Sequence, residues 1–512
     1  MKFIRLSEMQ IKTTGIESSS KNSKSEAPRD VILYCREQVH NQFKYLNEQL
    51  LEKRQVVFVH GPPGTGKSTT TLAFALSDCT RDWVITWIHL DRVFSGTKLK
   101  CVRIKGDSIE TTKDLSNIPE LLELEEEKHL VILDGYVSSQ DHGTVLTACL
   151  KWYRTGKPEN KRLLGVSSMS SMGKVSANAV ASLDITTHRV YSWILDEYLE
   201  AIQDNHFFNS VKDVLDAGIA QQSAKNVEQP TASDLVRAKF HFAGGSSRMM
   251  FSYKTAKVIE FLGEAVGLAH DISAYLYHDV GDQSSVAVNH LLGSLLNPGP
   301  PLPGSRTTFI ISEYAVLLFA QHMGPAKVLR YAEHLSRLNN PALMGWVFEM
   351  FVFSVLKHRP EGVQLTDVKT DESHNWPQAT PTLFDPSNVT KSTLVFEKGG
   401  WYQPLRWDQG GYDIVFIKIN EATQKYRVTF VQVANGKEHD LKLQFMYLLL
   451  DQLKDFIEME DVEIVFLVSN KNKAQFRIKT VTGPGLLVPF GWIQGKEEER
   501  CKILALDENW KH

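Results

Sequence analysis

Apolar positions along the chain fall into short unbroken runs separated by longer stretches with helical spacing. A parallel sheet covered by helices on both faces requires that pattern. Val56-Val57-Phe58-Val59 predicts a buried strand, and Trp83 to Leu90, His129 to Leu133 and Arg162 to Ser168 predict others, with a weaker one over Leu99 to Ile104. Val31, Leu33, Val39, Phe43, Leu46 and Leu50 predict a helix over 31–51, and further apolar helices are expected over 255–269 and 286–296. Residues 297–305 hold four prolines in nine positions and break the pattern, since proline fits neither a helix interior nor a central strand. Beyond them comes a second set of elements: a helix over 342–356, strands from Gly410 and Tyr426, and a helix over 440–456. The Ser-, Lys- and Thr-rich stretch from Ile11 to Arg29 predicts a disordered leader, so residues 1–30, 31–296 and 305–512 are the expected divisions.

The turn after the first strand changes this from architecture to chemistry. Gly61, Pro62, Pro63, Gly64, Thr65, Gly66, Lys67, Ser68 and Thr69 meet every fixed position of G-x-x-x-x-G-K-[ST], between a strand and a helix start at Thr69 to Ala75. Glycine lets a backbone wrap an anion closely, so that N–H groups and the positive end of the helix point at a β-phosphate. Lys67 then supplies a charge to the β- and γ-phosphates and Ser68 a hydroxyl to Mg²⁺. The expected ligand is a nucleoside triphosphate, ATP, with magnesium.

His129-Leu130-Val131-Ile132-Leu133-Asp134 is an apolar strand ending in an acid, the form of a Walker B element whose carboxylate reaches Mg²⁺ from across the sheet. Hydrolytic enzymes of this class often place a glutamate next, to polarise the attacking water, but Gly135 and Tyr136 follow here. Asp141 is either a substitute or a solvated loop acid, and slow hydrolysis or a switch role stays open. Ser167 and Ser168 read either as polar sensors of the γ-phosphate or as part of a serine-rich turn. Arg248, after Gly244-Gly245-Ser246-Ser247, reads either as a lid arginine reaching the γ-phosphate or as a surface charge.

Composition narrows the class. The 512 residues carry a net charge of −3, which argues against a wholly basic nucleic-acid coat protein. The five cysteines are unclustered and include no C-x-x-C pair, so neither a zinc site nor a disulfide framework is indicated. No run of about eighteen apolar residues is available to span a bilayer, and the N-terminus lacks the apolar core of a signal peptide.

Tyr191-Ser192-Trp193-Ile194-Leu195-Asp196-Glu197-Tyr198 and Ala243-Gly244-Gly245-Ser246-Ser247-Arg248-Met249-Met250-Phe251, together with the phosphate loop, resemble the body of Crinkler-type effectors of oomycetes and fungi, akin to trypanosome retrotransposon-hot-spot proteins. The resemblance runs from about residue 50 to the C-terminus. It implies an AAA/STAND-like P-loop NTPase joined to a restriction-endonuclease-like α/β domain, in a protein that enters host cells, acts on DNA in the host nucleus and meets host nuclear proteins. One departure is that the L-F-L-A-K-type export phrase is absent from residues 1–50.

The C-terminal residues can be set against that expectation. The helix over 342–356 carries Glu349, Asp413 opens one strand, and Gln432 lies on the next. Glu349 and Asp413 are the expected metal ligands, with Gln432 as a third ligand through its carbonyl. An acid, one residue and a lysine are expected on that strand, and the sequence offers Gln432-Val433-Ala434 instead; Lys437, His439 or Lys442 could supply the charge. Trp401, Tyr402 and Trp407 read as base-stacking residues or as rim packing, Gln444 and Tyr447 as a nucleic-acid contact or as structure, and Lys471, Lys473, Arg477 and Lys479 as a basic patch or a solvated face. The reading adopted is an ATPase controlling a magnesium-dependent endonuclease that cuts by metal-activated water, with Lys67, Asp134, Arg248, Glu349, Asp413 and Gln432 as its working residues. The alternative is a nucleotide-switched binding protein whose nuclease fold has lost its chemistry. A signalling ATPase of the immune-receptor kind would require repeats that the sequence lacks.

Overall fold

The structure is a computed structural model, which describes residues 2–16, 30–93, 96–106, 108–111, 118–123, 127–137, 140–155, 158–168, 185–216, 231–269, 288–296, 306–320, 323–336, 341–384, 386, 389, 399–404, 411–507 and 510. Of these, the residues up to Ser312 form one compact unit and those from Glu313 onwards form another.

The first unit is mixed α/β. A two-stranded antiparallel ribbon, β1 (Phe3–Leu6) with β2 (Val31–Tyr34), precedes the main sheet. That sheet uses β3 (Val56–Gly61), β4 (Val84–Val93), β5 (Gly96–Lys105), β6 (Ser108–Thr111), β7 (His129–Tyr136), β8 (Lys161–Ser168) and β9 (Ile185–Arg189), in the order β6-β5-β4-β7-β8-β3-β9. From β4 to β9 every pairing is parallel, while β5 and β6 extend the far edge as antiparallel strands. Successive side chains of a strand face opposite ways, and both faces are covered. Val57, Val59, Trp87, Leu130 and Ile132 pack on the phosphate-loop helix Lys67–Ala75 and on Ile11, Leu46 and Leu50, whereas Val56, Phe58, Val131 and Leu133 pack on Val145, Leu146, Cys149 and Trp152. The continuous apolar runs of the sequence follow from this two-sided burial. Helices Leu195–Ala201, Asn205–Val211, Ala232–Ala243, Ser247–Ser252 and Thr255–Leu268 follow the sheet, with β10 (Leu292–Leu296) and β11 (Arg306–Ile310) as a final antiparallel pair.

The second unit opens with helices Glu313–Ala320, Pro325–Ser336 and Pro341–His358. Its strands are β12 (Val363–Asp367), β13 (Ser373–Trp376), β14 (Thr382–Phe384), β15 (Gly400–Pro404), β16 (Ile414–Ile419), β17 (Tyr426–Ala434), β18 (Glu438–Lys442), β19 (Met459–Ser469), β20 (Arg477–Thr482) and β21 (Lys502–Leu506). Eight of them form one mixed sheet in the order β13-β12-β21-β19-β17-β16-β15-β14, and β18 pairs with β20. Helix Leu443–Leu453 buries Met446, Leu449 and Leu450 in the core with Phe430, Ile464 and Phe466.

Four local expectations are corrected. Within the expected leader, Ser7 and Gln10 form a capping box for helix Glu8–Thr14, and Ile11 is 1% exposed, so apolar burial outweighs the polar composition there. The helix expected over 31–51 begins as strand β2, because pairing with β1 claims Val31–Tyr34, and becomes helical only at Glu37–Tyr45. The apolar stretch 286–296 ends as β10 rather than as helix, since β11 supplies a partner for each of its residues. Residues 440–442, the expected start of a helix, end strand β18, which pairs with β20, and the helix begins only at Leu443. The proline run 297–305 and Trp407 lie outside the described residues.

Truncating a buried isoleucine removes contacts and leaves a cavity. Ile11→Ala is therefore expected to cost the first unit about 2–5 kcal/mol, read as a lowered urea midpoint; an unchanged midpoint would place helix Glu8–Thr14 outside the core.

Candidate functional site

The loop Gly61 to Ser68 leaves β3, the strand between β8 and β9, and runs into helix Lys67–Ala75. Gly64 shows why this position takes no side chain. Its φ is +71°, and a Cβ there would stand 2.1 Å from Ser246 Oγ and 3.1 Å from the Arg248 nitrogen. The segment carrying Arg248 is thus pressed against the phosphate loop. Ser247 fastens it there, donating to the Gly64 carbonyl from its backbone N–H at 2.8 Å and from its hydroxyl at 2.6 Å.

Lys67 is buried, and its Nζ donates to the carbonyls of Gly61 at 2.8 Å and Pro62 at 2.7 Å. Burial, with the Arg248 cation second, lowers its pKa to about 7, while Asp134 acts in the opposite sense. Asp134 is fully buried at the end of β7 and both of its oxygens are engaged. Oδ1 accepts from Ser68 Oγ at 2.6 Å, and Oδ2 pairs with His89 Nδ1 at 2.8 Å. A serine hydroxyl and a carboxylate in contact are hard oxygen donors suited to Mg²⁺, which takes one or two protein oxygens and completes its shell with water and phosphate. The residues present therefore fit that ion.

These groups open onto one cavity of about 520 Å³, within the usual size range of small-molecule sites. Pro63 to Thr69, Asp134, Ser167, Ser168 and Arg248 line it at the loop end, and Val31 to Tyr34, Phe207 and Val211 farther along. The structure accordingly brings together Lys67, Ser68, Asp134 and Arg248, with both serines of β8 beside the loop strand. Asp141 is exposed on helix Gln140–Arg154 and does not line the cavity.

Arg36 is a site residue that no motif announced. Its buried guanidinium donates from Nη1 to the Ser192 carbonyl at 3.2 Å and to Glu197 at 2.9 Å. From Nη2 it reaches the carbonyls of Tyr191 at 2.5 Å and Thr65 at 3.4 Å, and it lies 4.9 Å from the centre of the Trp193 ring. Trp193 in turn stacks on Tyr198 at 4.8 Å. The Ser192 to Tyr198 phrase is therefore the seat of an arginine that bridges the phosphate loop and the helical segment. No local pattern around Arg36 announces this, because its partners lie about 30 and 160 positions away. Lys239, shortly before the Ala243 to Phe251 phrase, is likewise buried and donates to the carbonyls of Val214 and Tyr253. It braces the helices rather than the cavity.

In the second unit, Asp413 precedes β16 and accepts from the Val433 backbone N–H at 2.6 Å. Its own N–H bonds the Val431 carbonyl, which sets it beside the buried Gln432 on β17. Burial raises the pKa of Glu349 well above its ordinary value, and the neighbouring charges of Asp413 and Glu313 raise it further. Burial raises Asp413 to about 7, with the Val433 N–H opposing and Glu313 adding to the rise. Glu313, at the start of a helix far upstream, is the member of this acidic group that sequence reasoning missed. Among the described residues no three His, Cys, Asp or Glu side chains converge closely enough to hold a metal ion. His439 and Lys442 lie on β18, and Lys437 precedes it. Trp401 and Tyr402 are buried, with Trp401 stacked on Phe416 at 4.5 Å, which is core packing rather than a surface for bases. Gln444 accepts from Thr482 at 2.9 Å, and Lys471, Lys473, Arg477 and Lys479 are exposed. Among the described residues no helix is long and apolar enough to cross a membrane.

No protein-family model matches the chain, and no curated protein matches it. Among solved structures, the chain is similar to two RuvB point mutants of Thermotoga maritima. One is 13% identical with a TM-score of 0.28, covering 47% of this chain and 77% of that one; the other is 13% identical with a TM-score of 0.26, covering 46% and 75%. At those scores the likeness carries no argument about function.

The lowered pKa of Lys67 gives a signed pH dependence. A bound polyanion restores the amine's ordinary affinity for its proton, so binding above about pH 7 takes up a proton and binding well below pH 7 takes up none. Nucleotide affinity is expected to fall as pH rises from 7.5 to 9, by up to about tenfold per unit, and Lys67→Arg to flatten that slope. Calorimetry in buffers of different ionisation heats measures the proton uptake; a value of zero would contradict the assignment.

Proposed function

We propose that the first unit binds ATP with Mg²⁺ as a P-loop NTPase and that the helical segment after the sheet responds to the bound nucleotide. One observation carries this reading: Lys67 and Ser68 of the loop, Asp134 of β7 and Arg248 of helix Ser247–Ser252 come from separate elements and line the same cavity. The loop N–H groups and the start of helix Lys67–Ala75 cradle the β-phosphate. Lys67 releases the Gly61 and Pro62 carbonyls and turns to the β- and γ-phosphates. Ser68 and Asp134 hold the magnesium ion, whose chemistry when bound is to screen phosphate charge. Arg248 meets the γ-phosphate with a planar guanidinium that spreads over several oxygens, and Ser167 and Ser168 offer hydroxyls beside it. Gly135 and Tyr136 place no carboxylate after Asp134, and this favours slow turnover and use of the nucleotide as a switch.

For the second unit we propose an endonuclease-like module of the restriction type, in a Crinkler-like, host-directed effector acting on DNA in the host nucleus. Its support is that Asp413, distant in sequence from Glu349, lies near enough to raise that residue's proton affinity, with Gln432 opposite Asp413. The competing proposal, a nucleotide-switched binding protein with an inactive nuclease fold that docks nucleic acid or a host protein, is favoured by buried Ala434 where the chemistry asks for lysine.

One experiment separates these. Purified protein with Mg²⁺ and supercoiled plasmid, with and without ATP, is compared with Lys67→Ala and Asp413→Ala. Lys67→Ala is expected to weaken ATP binding at least about tenfold, as loss of a charged phosphate contact does, and Asp413→Ala to abolish nicking while leaving ATP binding intact. Full ATP affinity in Lys67→Ala would sink the NTPase reading. Absence of nicking by the wild type, with ATP bound, would transfer the second unit to the binding-protein reading.

A further inference from the structure

Asp134 does not stand alone at the end of its strand. The neighbouring strand β4 places His89 directly across from it in the parallel register, and His89 Nδ1 meets Asp134 Oδ2 at 2.8 Å. The other carboxylate oxygen is held by Ser68 at 2.6 Å. With one oxygen bonded on each side, rotation of the carboxylate about its Cβ–Cγ bond is fixed and Oδ1 is kept toward the phosphate loop. The ring is itself confined. Gly15, the left-handed end of helix Glu8–Thr14 at φ +83°, lies so close that a Cβ there would stand 2.7 Å from His89 Cδ2 and 3.0 Å from Cγ. The His89 side chain keeps 17% of its exposure and Asp134 only 1%, so the imidazole separates the carboxylate from solvent on that side.

From this geometry we infer that His89 is a positioning residue for the magnesium carboxylate: it holds Asp134 in the orientation that faces Ser68 and the loop. The inference rests on the nucleotide-binding reading of the same site. An acceptor oxygen of Asp134 requires a proton on His89 Nδ1, so the ring takes the Nδ1–H form there. Side chains that orient a metal's ligands without touching the metal commonly change its affinity by about 10–100-fold when removed. His89 fits that role because it contacts the ligand and stands one strand farther from the loop. Sequence alone could not single it out. It lies 45 positions before Asp134, inside a run whose other members serve the core.

The test uses the full chain and a fluorescent ATP analogue, titrated first in EDTA and then against increasing Mg²⁺. His89→Ala is expected to raise the Mg²⁺ concentration at half-effect by about 10–100-fold while leaving affinity in EDTA nearly unchanged. His89→Asn, whose amide N–H can occupy the place of Nδ1–H, is expected to recover most of the loss. A purely structural role would lower the EDTA affinity or the melting temperature in both variants alike, and that outcome overturns the inference. So does a His89→Ala midpoint equal to the wild type's. A wild type that binds no analogue under either condition refutes the nucleotide reading itself, a result distinguishable from the others because it needs no variant.

Discussion

A buried guanidinium is costly unless its donors are taken, and the burial of Arg36 sets the terms for the first unit. Its partners are the carbonyls of Thr65, Tyr191 and Ser192 and the carboxylate of Glu197, with the Trp193 face alongside. No single element could supply all of these. Satisfying the arginine therefore fixes the phosphate loop relative to the strand exit at Tyr191 and the helix that begins at Leu195. The Ser247 bonds to Gly64 repeat the constraint from the other side of the loop. An anion-binding loop with several N–H groups aimed at one point depends on such external bracing, because its own glycines resist nothing.

Charge is arranged with the same economy. Lys67, Arg248 and Arg36 lie near enough for the two arginines to depress the lysine's proton affinity, while Asp134 pulls it upward. Like charges gathered in a poorly solvated cavity are costly, and an incoming polyanion relieves that cost. The carboxylate that opposes them is bonded through both oxygens, one to Ser68 and the other to His89.

The acidic group of the second unit shows the reverse case. Asp413 and Glu313 raise the proton affinity of Glu349, and Glu313 that of Asp413, in a setting where burial already disfavours charge. The Val433 N–H is the opposing influence on Asp413. Such a group either keeps protons near neutral pH or gains a cation, and the two proposals for this unit differ on that point.

By itself the sequence determined the elements whose cause is local. The loop Gly61 to Ser68 was legible because its glycines, lysine and serine are contiguous and meet one fixed pattern. The sheet strands were legible because burial on both faces leaves unbroken apolar runs, and Asp134 because an acid closing such a run is conspicuous. Where a residue's state depends on a distant partner, only the tertiary structure decided. Val31–Tyr34 and Leu292–Leu296 became strands because β1 and β11 lay beside them, and Ile11 turned a polar leader into helix by finding the core. Arg36, His89 and Glu313 came to their sites through contacts that no spacing along the chain records, since hydrogen bonds and burial act across space and the sequence orders residues only along one line.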